Sequence, residues 1–312
     1  MSYPQEVVIT EVCPRDGFQS LSENIPTEEK IDIINDLLDC GYKQIEVTSF
    51  VHPKAIPQLK DAAEVLQGIK RNENVKLRAL VPNLRGLERA IEANVDKAKL
   101  MLSATDSHSI NNANSKTFDA MDKFIPLIER AENSPIVISG SISVVFGCPY
   151  EGDVPLSRIL EICERYVALG INDLSLADTT GMANPVQVKK VIGVIRDKYP
   201  DMKLSLHLHN TRGMAFANAI AGLEMGIKDF DSSVAGLGGC PYAPNASGNI
   251  SSEDLIHGFE EMGIHTGIDL DKVVTIGKKL QGQFPSNADS FILKAGKRSD
   301  LHLAPKEQSK LG

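Results

Sequence analysis

His207 and His209 are separated by one residue in the run Lys-Leu-Ser-Leu-His-Leu-His, residues 203–209. Alternate side chains of an extended strand share a side, so the two imidazoles project together while Leu208 turns away. Such a pair is ready to ligate a divalent cation, although the spacing alone suits a hydrogen-bonded buried pair better. Near the N-terminus, Arg15-Asp16-Gly17 follows an apolar run and sets a permanent cation beside a carboxylate. Residues 234–243, Val-Ala-Gly-Leu-Gly-Gly-Cys-Pro-Tyr-Ala, place the thiol of Cys240 in a glycine-rich turn, and Ala246-Ser247-Gly248-Asn249 follow it. Asp16 can join the two histidines, and Asn249 can add a neutral amide oxygen. That donor set with open positions suits Mg²⁺ or Mn²⁺ accepting substrate oxygens. Glu11, Glu46 and Asp178 surround the same region with carboxylates, which can spread their pKa values and divide acid and base roles.

These residues need a scaffold that gathers them. Strand patterns occupy residues 7–12, 44–49, 76–81, 99–103, 136–146, 173–178, 203–209 and 229–234. Helical patterns lie between them at 27–40, 55–69, 84–93, 118–132, 156–169, 185–198 and 214–225, with another at 253–262. Eight strand–helix units predict a (β/α)₈ barrel, and the polar residues fall at the downstream strand ends that a barrel collects on one face. Strands one and seven are near neighbours around a closed barrel, which lets Asp16 approach the histidines. The barrel is assigned to residues 1–262. Residues 263–312 form a short C-terminal extension, with a helix over 269–280 packed outside the barrel and a polar tail that frays from about residue 295.

Composition narrows the class. The 312 residues carry 42% hydrophobic and 24% charged side chains, ample for one large core. A net charge of −8 argues against a nucleic-acid partner and against a polybasic membrane surface. No apolar run is long enough to span a membrane. Five cysteines without framework spacing predict reduced thiols and a cytoplasmic protein, and the segment Met1-Ser2-Tyr3-Pro4-Gln5-Glu6 has no targeting character. Cys13, Cys40 and Cys163 fall in apolar patterns and read as core; Cys148 reads as structural.

Arg15-Asp16-Gly17, His207-Leu208-His209 and the Gly-Gly-Cys-Pro loop occur in the order found in the 3-hydroxy-3-methylglutaryl-CoA lyase family, which the chain resembles from about residue 7 to about residue 280. The resemblance implies an acyl-CoA substrate, a divalent metal at Asp16, His207, His209 and Asn249, and a homo-oligomer, dimer or tetramer. It also implies that Arg15, Asp16, Glu46, Asp178, His207 and Cys240 serve catalysis. Arg15 would stabilise the thioester enolate that develops as a carbon–carbon bond breaks, and Cys240 would transfer a proton or close the site. The expected products are acetyl-CoA and a keto acid, acetoacetate for the family substrate.

Some positions depart from that pattern. The family's Asp-Thr-Tyr-Gly after the histidines is Asn210-Thr211-Arg212-Gly213, and an Arg-Gly-Tyr segment of the fifth strand is Ser139-Gly140-Ser141. After Gln19, Asn-Glu-Lys becomes Ser20-Leu21-Ser22. These changes are expected around the distal acyl carboxylate, which leaves citramalyl-CoA or a longer 3-hydroxy-dioyl-CoA as alternative substrates. A Claisen-type synthase joining acyl-CoA to a 2-keto acid is the rival class; it shares the barrel and metal site but carries a catalytic Glu where this chain has Phe18. A non-catalytic metal-binding barrel is the third reading.

Overall fold

Eight strands, β1 (Val8–Glu11), β2 (Gln44–Ser49), β3 (Lys76–Leu80), β4 (Lys97–Ser103), β5 (Val137–Ser143), β6 (Asp173–Asp178), β7 (Lys203–Leu208) and β8 (Asp229–Ser232), pair in parallel and in sequence order. β8 closes on β1, with Val8 opposite Asp229 and Glu11 opposite Ser232. The expected (β/α)₈ barrel is therefore present. The computed structural model describes residues 3–239 and 248–301.

Strand parity divides the core into two unlike layers. Ile9, Ile45, Leu77, Ala98, Leu100, Leu174, Leu206 and Phe230 belong to the hydrophobic cluster packed under the helices. The helices meet it with apolar stripes such as Ile33, Ile34 and Leu37 of α1 (Thr27–Leu38). The alternate positions Glu46, Arg78, Lys99, Ser139, Ser141, Ser175, His207 and Asp231 are buried and polar. The barrel interior is thus an ionic core, and the apolar burial that stabilises the fold lies between sheet and helices.

Around the barrel run α2 (Ala62–Gly68), α3 (Leu84–Glu92), α4 (Asp106–Ala113), α5 (Thr117–Asp122), α6 (Ile125–Ala131), α7 (Leu156–Ala168), α8 (Pro185–Lys198), α9 (Ala215–Glu224) and α10 (Ser252–Glu261). Three differ from the sequence reading. The helix expected over 55–69 is a 3₁₀ turn, Pro57–Leu59, followed by the short α2. The one expected over 118–132 is broken into α5 and α6, because Pro126 lacks an N–H and its ring would clash with the carbonyl of Asp122, where α5 ends. The helix α4 has no apolar period in Asp-Ser-His-Ser-Ile-Asn-Asn-Ala to announce it. Gly170 and Gly226, at φ +77° and +76°, end α7 and α9 as expected.

The C-terminal segment contributes α11 (Leu270–Gln283), packed on α1 and α10 outside the barrel, and α12 (Phe291–Ala295). Asp254 of α10 anchors α12 by accepting from Ser290 Oγ and from the N–H groups of Phe291 and Ile292. Asp289 N–H donates to the carbonyl of Ala235, which couples this segment to the turn after β8. Of the tail expected to fray from about residue 295, residues 302–312 lie outside the described residues.

Candidate metal centre and active site

The chain leaves β1 through a π-helical turn, Cys13–Gly17, which holds Arg15 and Asp16 in the barrel mouth at 4% and 5% exposure. One-turn π segments are frequent at functional sites. β7 delivers His207, and His209 follows it, bridged to Asn249 of the segment entering α10. Asp16 Oδ2 lies 3.7 Å from His207 Nε2 and 3.9 Å from His209 Nε2, and the two ring nitrogens are 3.1 Å apart. Asp16, His207 and His209 thus form a buried group whose ligating atoms all lie within 4.8 Å of one another.

The donor chemistry fits a divalent cation. His207 Nδ1 donates to Asp231 Oδ2 at 3.1 Å, which leaves the Nε2 lone pair facing Asp16. Burial, reinforced by His207, lowers the His209 pKa to about 3, so this imidazole is neutral and can ligate. Burial opposes ionisation of Asp16, but the charge of Arg15, helped by the hydrogen bond from Asn249, outweighs it and holds the carboxyl below its ordinary value. Asn249 Nδ2 donates to Asp16 Oδ2 at 2.7 Å and to the carbonyl of Leu237 at 3.0 Å. Its amide must turn over to present oxygen to an ion.

An ion-pair ring runs beneath the group. Arg15 pairs with Asp16 at 2.5 Å and, through Nε, with Glu46. Arg78 pairs with Glu46 at 2.5 Å and with Asp231 at 2.9 Å, while Lys99 reaches Glu46 at 3.5 Å and Asp231 at 3.1 Å. Asp231 then returns to His207. Burial disfavours charge on Glu46, yet Arg15, Arg78 and Lys99 prevail and keep its carboxyl below the usual range. Asp231 is held low in the same way by Arg78 and Lys99.

Sequence reasoning missed Arg78, Lys99 and Asp231, together with Gln19, whose Nε2 donates to Asp16 Oδ1 at 2.9 Å. The signal was present: each of the three charges stands beside apolar neighbours in a strand, Leu77-Arg78-Ala79, Ala98-Lys99-Leu100 and Phe230-Asp231. A charge at that parity in a barrel strand points inward and demands partners.

Asp178 ends β6 and accepts from the N–H groups of Met182 and Ala183, while its second oxygen is buried without a partner. Burial raises its pKa to about 6. Arg212 is anchored on the carbonyls of Thr180 and Gly181, and its charge acts on Asp178.

Two expectations are corrected. Glu11 does not share the Arg15 cluster: it has the parity of Ile9, lies on the outer side of β1, and accepts from Cys13 N–H, Val234 N–H and Ser252 Oγ. Ser139 does not face the mouth. It lines a cavity of about 90 Å³ at the opposite end of the barrel, with Lys97, Asp173, Lys203 and Asp229 from the strand starts.

Cys240 lies outside the described residues. The chain on either side of it is tied to the centre, since Leu237 accepts from Asn249 and Gly248 accepts from Asn210 N–H at 3.0 Å. Cys148 is buried and takes a hydrogen bond from Thr105 Oγ, and Cys13, Cys40 and Cys163 are also buried free thiols.

The HMGL-like family model matches residues 6–279, the span that carries every residue of this centre. The chain belongs to that family. A hydroxymethylglutaryl-CoA lyase of Bacillus subtilis is 42% identical over 299 residues, 96% of this chain and 100% of its own length. A 3-hydroxy-3-isohexenylglutaryl-CoA/hydroxymethylglutaryl-CoA lyase of Pseudomonas aeruginosa is 39% identical, covering 90% of this chain and 93% of its own. Among solved structures, an HMG-CoA lyase from Acinetobacter baumannii in complex with coenzyme A and 3-methylmalate superposes with a TM-score of 0.93 at 42% identity, covering 98% of this chain and 100% of that one. Membership of the family therefore rests on nearly the whole chain.

Proposed function

We propose that this protein cleaves 3-hydroxy-3-methylglutaryl-CoA to acetyl-CoA and acetoacetate. The observation that carries the reading is the convergence of the Arg15–Asp16 turn on the His207–His209 pair, in a chain about 40% identical to relatives named for this substrate. A divalent ion, Mg²⁺ or Mn²⁺, held by Asp16, His207, His209 and Asn249 would polarise the tertiary hydroxyl and its neighbouring oxygen.

Asp178 is the base. A carboxylate raised to about 6 is ionised at neutral pH yet basic enough to take the hydroxyl proton. Glu46 is unsuited to that task, because three cations hold it ionised. As the hydroxyl oxygen becomes the ketone, the carbon–carbon bond breaks and its electron pair becomes the enolate of the acetyl thioester. Arg15, oriented by Asp16 and Glu46, stabilises the enolate oxygen. Cys240, on the segment between Gly239 and Gly248, gives the enolate carbon its proton and closes the site.

Phe18 supports cleavage over condensation. It is 1% exposed and packed in the core, where the synthases carry a catalytic glutamate. With Ser139 at the far end of the barrel, its change from the family pattern gives no reason to exclude the named substrate. The buried free thiols suit a reducing compartment, the cytoplasm; among the described residues no helix is long and apolar enough to cross a membrane. A homo-oligomer completes the proposal.

The test compares kcat/KM for 3-hydroxy-3-methylglutaryl-CoA, citramalyl-CoA and longer 3-branched homologues with condensation of acetyl-CoA and 2-keto acids. Metal-dependent release of acetoacetate from the first should be fastest. A faster longer homologue would move the acyl specificity, and faster condensation would overturn the lyase reading.

A further inference from the structure

Glu11 is fully buried, yet it contributes nothing to the ionic ring under the metal centre. Its Oε1 accepts from the backbone N–H groups of Cys13 at 2.9 Å and Val234 at 3.0 Å, and its Oε2 accepts from Ser252 Oγ at 2.6 Å. The three donors belong to three segments far apart in sequence. Cys13 opens the turn that presents Arg15 and Asp16. Val234 opens the 3₁₀ turn leading to Leu237 and, in sequence, to Cys240. Ser252 begins α10, three residues after Asn249. Having donated to Glu11, Ser252 Oγ accepts from Ser232 Oγ at 2.8 Å, which adds the end of β8 to the same junction.

A second carboxylate continues the arrangement. Ala235, the residue after Val234, has φ +57°, a left-handed conformation that costs a non-glycine residue energy. Its N–H donates to both oxygens of Glu253 at 3.0 Å. Two successive amides of one turn are thus held by two buried carboxylates. Among the described residues neither carboxylate has an ion-pair partner, so their hydrogen bonds are what hold them in place. An oxygen that serves two amides at once fixes the distance between the segments bearing them, because each contact is near its optimal length.

We propose that Glu11 is a positioning residue of the metal centre, its carboxylate setting in one register the segments that carry Asp16, Leu237 and Asn249. This rests on the function proposed above. The side chain acts through the backbone it holds and touches neither substrate nor ion.

The experiment uses the full chain and the variants Glu11→Gln, Glu11→Leu and Ser252→Ala. Calorimetric titration with Mn²⁺, steady-state kinetics and the rate of Cys240 alkylation by iodoacetamide are read side by side. Glu11→Gln keeps an acceptor for both amides and should stay within about 3-fold of the parent throughout. Glu11→Leu keeps the volume without the acceptor; Mn²⁺ affinity should fall ~10-fold or more, as for lost outer-shell support. Its kcat should fall ~10- to 100-fold with KM moving less, and Cys240 should alkylate several-fold faster. A folded Glu11→Leu protein with parental Mn²⁺ affinity and kcat overturns the proposal, as does a Glu11→Gln protein as impaired as Glu11→Leu. Should Glu11→Leu not fold, Ser252→Ala decides: weaker Mn²⁺ binding by about 3-fold or more supports the tie, and unchanged binding overturns it. The titration and the alkylation need no substrate. A parent that binds Mn²⁺ but cleaves no thioester would therefore sink the assigned function and leave this inference standing.

Discussion

Asp231 Oδ2 lies 3.1 Å from His207 Nδ1, and the same carboxylate is held by Arg78 and Lys99. A carboxylate that accepts from one imidazole nitrogen selects the tautomer with a lone pair on the other and fixes the ring plane. Asp231→Asn should therefore weaken Mn²⁺ affinity ~10- to 100-fold, while His209→Ala, which removes a proposed ligand, should lose most bound metal and at least ~10²-fold in rate. Elemental analysis and calorimetric titration check both. Parental metal content in His209→Ala would place the ion elsewhere.

The role proposed for Arg15 is to stabilise the transition state. Its guanidinium is desolvated, and its pKa is nonetheless raised because Asp16 and Glu46 outweigh that cost, so it stays charged throughout the cycle. Arg15→Met should lower kcat ~10²-fold or more with a modest change in KM. Comparison of kcat and KM under saturating Mn²⁺ makes the measurement, and a near-normal kcat would make Arg15 a structural ion pair.

The contribution of Glu253 and Glu11 to stability should fall with rising pH between about 4.5 and 8. Burial lifts Glu253 to about 8 and Glu11 to about 7, against 4.5 for a free glutamate. Across that window the folded protein keeps protons that the unfolded chain has released, so each increment of pH favours unfolding. Glu253→Gln retains an acceptor for Ala235 N–H without the buried charge. It should match the parent near pH 4 and exceed it at pH 9 by on the order of 2–4 kcal/mol. Urea midpoints at several pH values read the difference, and parallel curves for the two proteins would refute it.

Cys240 should be the functional thiol. Among the described cysteines, burial raises Cys40 and Cys163 to about 12 and lifts Cys13 well above its ordinary value, which removes them as nucleophiles near neutral pH. Iodoacetamide should inactivate the enzyme, a bound substrate analogue should slow the labelling, and Cys240→Ala should resist it. An inactivating adduct mapped to Cys148 by mass spectrometry would reverse the assignment.

The sequence alone determined the barrel and the shared side of His207 and His209, because both depend on short-range rules. Alternation along β7 puts His207 and His209 on one side whatever surrounds them, and eight repeats of strand and helix leave few folds to choose from. The division of α5 from α6 was missed, although Pro126 carries its signal. What the tertiary structure decided is which carboxylate meets which cation. Glu11 and Glu46 look alike as strand-end acids, but Glu11 has the parity of Ile9 and turns to the helices, whereas Glu46 turns inward to Arg15, Arg78 and Lys99. One acid is consequently held ionised and the other rises to about 7. Ser139 was misplaced for a related reason: its height along the barrel axis depends on the stagger of neighbouring strands, which pairs it with Lys99 and drops it to the floor. Parity is local, but the partners it selects lie 31 to 153 residues away in the chain, and closure of the barrel is what brings them within reach.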